Sequence, residues 1–317
     1  MTALNATTFM VGGEYPVPRI GYGAMQLAGR GVIGLPDDVR GAIEVLHRAV
    51  DQGVRFFDTA NAYGPRTVNQ IIGKAFRPLA DDIVIGNKVG ATRGPAGEWL
   101  VDGRPETVRS QVEEALFDMR TEVSSLTYLR LPGDTPNQSP ADAVPLEESL
   151  GTLVELRDHG KIRHIGLSGA TPDMLARAQR ITPIAAVQNR FNLIDRSGVE
   201  VLAACERDSI AFVPYFPLAT GGLRELGPLN LPAARLRVPT STVALAWLLR
   251  RSLVIVPIPG TKSLEHLGDN LRATTIADQL TDDEIDALTA VEDEQGATLG
   301  TMPDKMVDAF ARLYATG

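Results

Sequence analysis

Between residues 19 and 271, a short apolar run gives way eight times to a segment whose apolar positions recur at helical spacing. That alternation constrains the fold more than anything else in the chain. Strands joined through helical crossovers lie parallel, and parallel sheets bury both faces. The strand-like runs are 19–25, 56–59, 83–89, 126–131, 164–168, 185–191, 210–217 and 254–258. The helical segments begin behind Asp37 and Asp38, at 68, at Pro105, at 146, at Thr171-Pro172, at 198, at 240 and at 263. Eight such units make a (β/α)8 TIM barrel, whose usual size is about 250 residues. An open doubly wound sheet is the alternative. It would carry a Gly-x-Gly-x-x-Gly turn after an early strand, and none is present. Residues 7–18, with Gly12-Gly13 at the turn, predict a β-hairpin ahead of the barrel. Thr281-Asp-Asp-Glu284 predicts a capping box, with Leu280 and Ile285 as its staple, opening an extra C-terminal helix to about 293 and then a tail. A Gly-, Pro- and Arg-rich loop is expected at 91–103. No linker interrupts the chain, so residues 1–317 are expected to form one domain.

Charge and composition narrow the partners. The 317 residues are 44% hydrophobic and carry a net charge of −8, with no block of lysine and arginine able to track a phosphate backbone. Nucleic acid is not expected. The beginning, MTALNATTF, lacks the basic-then-apolar layout of a signal peptide, and no apolar run is long enough to span a membrane. Cys205, the single cysteine, sits in VLAACE on an expected helix and reads as a buried apolar residue. A cytoplasmic monomer or small homo-oligomer acting on a small molecule is the expectation. No metal site is expected.

In such a barrel chemistry belongs at the carboxyl ends of the strands. Those ends carry Asp58, Lys88, Arg130, Ser168, Gln188 with Asn189, Tyr215 and the turn Gly260-Thr261-Lys262. In FFDTANAYG, Asp58 leaves the strand and Tyr63 sits on the following turn, able to lean back over it. Lys88, closing the next strand after β-branched residues, needs a partner if half buried, and Asp58 can supply one. An ammonium so held is expected to lower the pKa of the nearby phenol and make Tyr63 a proton donor. The alternatives are that Asp58 caps the next helix and Tyr63 merely packs, or that Asp58 and Lys88 pair only to serve the fold. For Lys262 the alternative is a solvated turn residue, and for Arg130 a pairing with an acidic loop residue such as Asp134.

In order and spacing, GYGAM (21–25), DTANAYG (58–64), NKVG (87–90), HGKIRHIGLS (159–168), VQNRFN (187–192), PYFPLA (214–219) and IPGTKSLEHLGDN (258–270) resemble the aldo-keto reductases. The resemblance implies a barrel plugged at its base by the N-terminal hairpin, and NADPH-dependent reduction of an aldehyde or ketone. Tyr63 would be the general acid, tuned by Asp58 and Lys88. Ser168 and Gln188 would hold the nicotinamide amide, with Tyr215 on its face and Gly23, Ala24, Met25 and Asp58 beside it. The segment from Leu218 to Leu223, with Thr220, Gly221 and Gly222, would cover the pyrophosphate, and Phe216 would be a further cofactor contact. Lys262 with Thr261 would meet the adenosine 2′-phosphate, and Asp269 and Asn270 the adenine, with Gly260 and His266 further cofactor contacts. Arg130 replaces the family's usual histidine, and arginine can polarise or anchor an oxygen but cannot serve as an acid near neutrality. Gly169 replaces an asparagine. The arginine variant, with GYGAMQLAG, VNQIIGKAF and FPL, is most similar to the bacterial pyridoxal reductases, which implies reduction of pyridoxal. The loop PGDTPNQSPADAVP departs from that subgroup, leaving a ketone or aldehyde of secondary metabolism as an alternative substrate. A cofactor-sensing protein with little turnover is the alternative outside catalysis.

Overall fold

The computed structural model describes residues 7–132, 144–223 and 226–291. Strands β1 (Thr8–Val11) and β2 (Tyr15–Pro18) pair antiparallel, and Gly12 and Gly13 turn between them at φ of 61° and 72°. That left-handed backbone favours glycine. The strands that follow are β3 (Tyr22–Gly23), β4 (Phe56–Ala60), β5 (Val84–Val89), β6 (Ala91–Arg93), β7 (Trp99–Val101), β8 (Ser124–Arg130), β9 (Ile162–Ser168), β10 (Ala186–Gln188) and β11 (Ala211–Phe212). Seven of them form one sheet in the order β11-β10-β9-β8-β5-β4-β3, with parallel pairing throughout.

Residues 254–258 close this sheet into the barrel without themselves forming a regular strand. Phe212 N donates to Val254 O (2.8 Å) and Val256 N to Phe212 O (2.9 Å), while Gly21 N donates to Pro257 O (2.9 Å) and Gly23 N to Pro259 O (3.3 Å). Pro257 and Pro259 have no N–H to offer, so alternate rungs of a full ladder cannot form. The eighth strand expected here is thus a seam of single backbone bonds, with one bridge between Phe212 and Ile255.

Ten α-helices are assigned among the described residues: α1 (Val39–Asp51), α2 (Thr67–Ala75), α3 (Pro105–Met119), α4 (Leu146–Asp158), α5 (Pro172–Gln179), α6 (Val199–Asp208), α7 (Asn230–Leu236), α8 (Thr240–Arg251), α9 (Leu264–Ala277) and α10 (Asp282–Thr289). Four starts carry a side-chain cap. Asp38 accepts from Gly41 N, Thr171 from Met174 N and Ser263 from His266 N, and Thr281 with Glu284 forms the complete capping box. Leu280 is buried, and Ile285 packs against the cluster that contains it.

Inside the barrel Phe56, Val84, Leu126, Tyr128, Ala186, Ala211, Val213 and Val256 pack with Val11 and Val17 of the hairpin, which plugs the end where the strands begin. Gly86 and Gly166, on either side of Tyr128, make room for its ring. A Cβ on either would lie 2.8 or 2.6 Å from it.

The expected elements differ in several places. The loop expected at 91–103 contains the antiparallel pair β6–β7. The run expected as strand at 19–25 pairs only over β3 and then turns into a 3-10 helix, Ala24–Leu27. The expected strands 185–191 and 210–217 shorten to β10 and β11, because the backbone beyond each bends away to form the rim, leaving the single bridge Arg190–Tyr215. Helix α7 was not foreseen, and α9 runs on to Ala277. Asp134, most of the loop after β8, and the tail beyond 291 lie outside the described residues.

Candidate active site

Along each barrel strand every second side chain faces inward. Phe56, Val84, Leu126 and Ala186 form an apolar layer near the base. Moving up the same inward-facing positions leads to Asp58 on β4, Lys88 on β5, Tyr128 and then Arg130 on β8, Ser168 on β9 and Gln188 on β10. Parallel register sets Lys88 opposite Tyr128 and Arg130 opposite Ser168. The polar groups therefore share the mouth where the strands end.

Lys88 Nζ donates to Asp58 Oδ1 at 2.5 Å and to Tyr63 Oη and Thr59 O at 3.3 Å each. Tyr63 reaches this position because its backbone N–H closes a turn onto Ala60 O (3.0 Å) and its carbonyl accepts from Val68 N at the start of α2 (3.2 Å). Lys88 is 5% exposed, Asp58 2% and Tyr63 9%. Gln188 Nε2 donates to the other carboxylate oxygen of Asp58. Behind the group, a buried amide cluster ties the Tyr63 turn to β5 and α3. Asn87 and Asn69 both donate to Asn61 Oδ1, Thr59 Oγ1 donates to Asn69 Oδ1, and Asn61 Nδ2 donates to Gln111 O.

Burial decides the electrostatics. It raises the Asp58 carboxyl above its ordinary value, and the attraction of Lys88 only partly offsets it. Burial likewise raises the Tyr63 phenol, against the lowering pull of Lys88. The expectation that Lys88 would lower the phenol overall is thereby corrected. Its contribution has the expected sign, but desolvation of the phenolate is larger.

Arg130 Nη1 donates to Ser168 Oγ at 3.1 Å, and its guanidinium carbon lies 5.7 Å from the centre of the Tyr215 ring. Among the described residues it has no carboxylate partner. Gly169 has φ of 78°, and its N–H donates to Gln188 O. Asparagine and glycine are the residues that enter this region most readily, which accounts for one replacing the other. Around the seam, Gly23 is paired with Asp58, Met25 is half buried, and Tyr22 Oη donates to Thr261 O at 2.5 Å. Lys262 is exposed at the start of α9, with Nζ donating to Ala28 O at 3.3 Å. His266 is exposed, Asn270 is buried, and Asp269 O accepts from Thr242 Oγ1. Phe216 packs edge-on against Tyr215, and Leu218, Gly221 and Gly222 follow it around the 3-10 helix Ala219–Gly221, which includes Thr220.

Beyond the Gln188–Asp58 bond and the amide cluster, four further contacts escaped the sequence reading. Trp99 on β7 meets the Tyr63 ring edge-to-face at 6.1 Å. Arg93 stacks on Trp99 at 4.1 Å and donates to Gly31 O and Val32 O, pinning the hairpin to the rim. The guanidinium of Arg190 lies 5.9 Å from the Tyr215 ring, on VQNRFN, which gave no sign of it. The Tyr128 hydroxyl neighbours the Gln188 amide, yet neither it nor Gln188 Oε1 has a hydrogen-bond partner within normal geometry. Only Tyr128 had a signal, its place two residues before Arg130 on the same strand face.

The model of the aldo/keto reductase family matches residues 19–293. The chain belongs to this family. Pyridoxine 4-dehydrogenase of Escherichia coli is 42% identical to this aldo/keto reductase over 273 residues, covering 85% of the chain and 93% of the relative. An NADP+ aldo-keto reductase of Schizosaccharomyces pombe is 28% identical, over 83% of the chain and 86% of its own length. Among solved structures, an aldo-keto reductase of Klebsiella pneumoniae in complex with NADPH superposes with a TM-score of 0.74 at 25% identity, covering 93% of this chain and 99% of that one.

Proposed function

We propose that this reductase reduces an aldehyde or ketone with NADPH, and that pyridoxal is a substrate. The observation that carries the reading is the buried ammonium of Lys88 in contact with both Asp58 and the Tyr63 hydroxyl at the strand ends. Tyr63 gives its proton to the carbonyl oxygen. Lys88 stabilises the phenolate left behind, and Asp58 holds Lys88 in place and balances its charge. Arg130 polarises the carbonyl from the rim. The 42% identical pyridoxine 4-dehydrogenase supports pyridoxal as the substrate to test first.

The residues present fit the cofactor. Gln188 Oε1 is a buried acceptor with no partner, suited to an amide N–H of a nicotinamide. Ser168, the register partner of Gln188, is assigned to the same amide, Tyr215 to the face of the ring, and Gly23, Ala24 and Met25 to its side. Gly260 and Gly23 keep that rim slim, since a Cβ on Gly260 would meet Gly23 O at 2.5 Å. Lys262, Thr261 and His266, at the N-terminus of α9, offer a cation and the positive end of a helix to the 2′-phosphate. Asp269 and Asn270 on the next turn are assigned to the adenine, and Phe216, Leu218, Thr220, Gly221 and Gly222 to the pyrophosphate. NADPH, when bound, supplies hydride from C4 of its nicotinamide.

The test is direct. Protein mixed with NADPH and pyridoxal should consume the reduced cofactor and yield pyridoxine. No consumption with pyridoxal or with a panel of aldehydes and ketones would overturn the reading.

A further inference from the structure

Arg130 occupies the inward-facing position one step above Tyr128 on β8, at the lip of the barrel. It uses one N–H on Ser168 Oγ, and its remaining N–H groups make no hydrogen bond within the described protein. Asp58 makes no hydrogen bond to it, since Lys88 and Gln188 donate to the two oxygens of that carboxylate. Its field nevertheless reaches the reacting group, where its charge acts on both Asp58 and Tyr63. A cation with an open planar fork beside a proton donor is half of an anion site. On the same rim, Trp99 meets the Tyr63 ring edge-to-face, and the Arg93 guanidinium stacks on Trp99.

We infer that Arg130 selects carbonyl compounds bearing a second, ionisable oxygen next to the carbonyl, specifically ortho-hydroxy aryl aldehydes whose ring lies against Trp99. This rests on the reading of Tyr63 as the acid and deepens it. The carbonyl oxygen takes the Tyr63 proton donor, and the ring position beside it turns the phenolate toward the open guanidinium. A para-hydroxyl points away and gains nothing. A methyl ether in the ortho position loses the charge and fills the fork with a methyl group. A histidine at this position would offer at most one N–H when neutral and no permanent charge, so the selectivity is a property of the arginine.

The experiment compares kcat/KM for 2-hydroxybenzaldehyde, 4-hydroxybenzaldehyde and 2-methoxybenzaldehyde with NADPH, in the natural enzyme, Arg130→Gln and Arg130→Lys. A charge-assisted hydrogen bond predicts a preference of about tenfold or more for the ortho-hydroxyl over both others. Arg130→Gln should bring the ratio near one, and Arg130→Lys, with charge but no fork, should keep part of it. A fluorescence titration with NADPH checks that each variant is folded. A ratio near one in the natural enzyme, or a ratio unchanged in Arg130→Gln, overturns the inference. So does reduction of pyridoxal alongside no turnover of 2-hydroxybenzaldehyde. If Arg130→Gln is too slow to measure, the ratios of the natural enzyme and Arg130→Lys decide. Inactivity toward pyridoxal and all three aldehydes would instead remove the reductase reading underneath.

Discussion

Tyr63 holds its proton more tightly than a phenol in water, because burial outweighs the pull of Lys88. For an acid in the reductive direction this keeps the group loaded throughout the neutral range. Its ordinary value is 10.0, so kcat/KM for reduction should show no alkaline loss from this phenol below about pH 10. A limb centred near neutrality in a pH–rate profile would contradict the raised value. Tyr63→Phe removes only the hydroxyl and should cut kcat by about 10²–10⁴-fold while the NADPH dissociation constant stays put. Lys88→Met leaves Asp58 buried without its counter-charge and should cost about 3–5 kcal/mol by urea unfolding. The pH dependence has a definite sign. Asp58 has a folded-state pKa above 3.8, so its contribution to stability is present below 3.8 and lost as pH rises through the folded value. Removing Lys88 moves that folded value further up. The urea midpoints of variant and natural protein should therefore converge as the pH is lowered. The positions of Asp58, Tyr63 and Lys88 were legible because each is a polar residue closing an apolar strand or turning away from one. The direction of the Tyr63 shift was not, since it depends on how much water the finished barrel excludes. The bond from Gln188 to Asp58 joins β10 to β4 through side-chain reach alone, and no local pattern encodes it.

The helices begin where capping chemistry puts them, so their starts were readable at Asp38, Thr171 and Thr281. The hairpin β6–β7 was hidden because its strands are only three residues each and lie in a stretch rich in Gly, Pro and Arg. Its cohesion comes from Arg93, which stacks on Trp99 and reaches the carbonyls of Gly31 and Val32. Arg93→Ala should free Trp99 and raise KM for aryl aldehydes several-fold with little change in NADPH affinity, as steady-state kinetics would show. Helix α7, NLPAARL, was missed because it is short and carries Pro232 in its first turn. Close approach between elements was equally invisible in sequence. A Cβ on Gly73 of α2 would run into the Asp118 carbonyl of α3. Gly73→Ala should therefore destabilise the protein by about 1–3 kcal/mol in urea unfolding, although alanine is the better helix former.

For the molecule as a whole, the order of strands and helices was legible in the alternation of periods, and the closure of the ring was not. Closure depends on two prolines that accept without donating, and their role shows only when Gly21 and Gly23 are found beside them. A ligand that binds only the folded barrel raises its stability, by about 2.7 kcal/mol at a hundred times its dissociation constant. NADPH should accordingly raise the melting temperature by several degrees. In Lys262→Ala that gain should shrink for NADPH while the effect of NADH persists; equal loss for both would show that Lys262 does not meet the 2′-phosphate. The seam has a kinetic consequence as well. Because few bonds hold residues 254–260 to their neighbours, the ring should part there first, letting deuterium reach the amides of Gly21, Gly23 and Val256 ahead of those between β5 and β8. The same stretch leads straight into Lys262, so an occupied nucleotide site would act as the clasp of a bracelet, slowing that exchange far from the hydride chemistry itself.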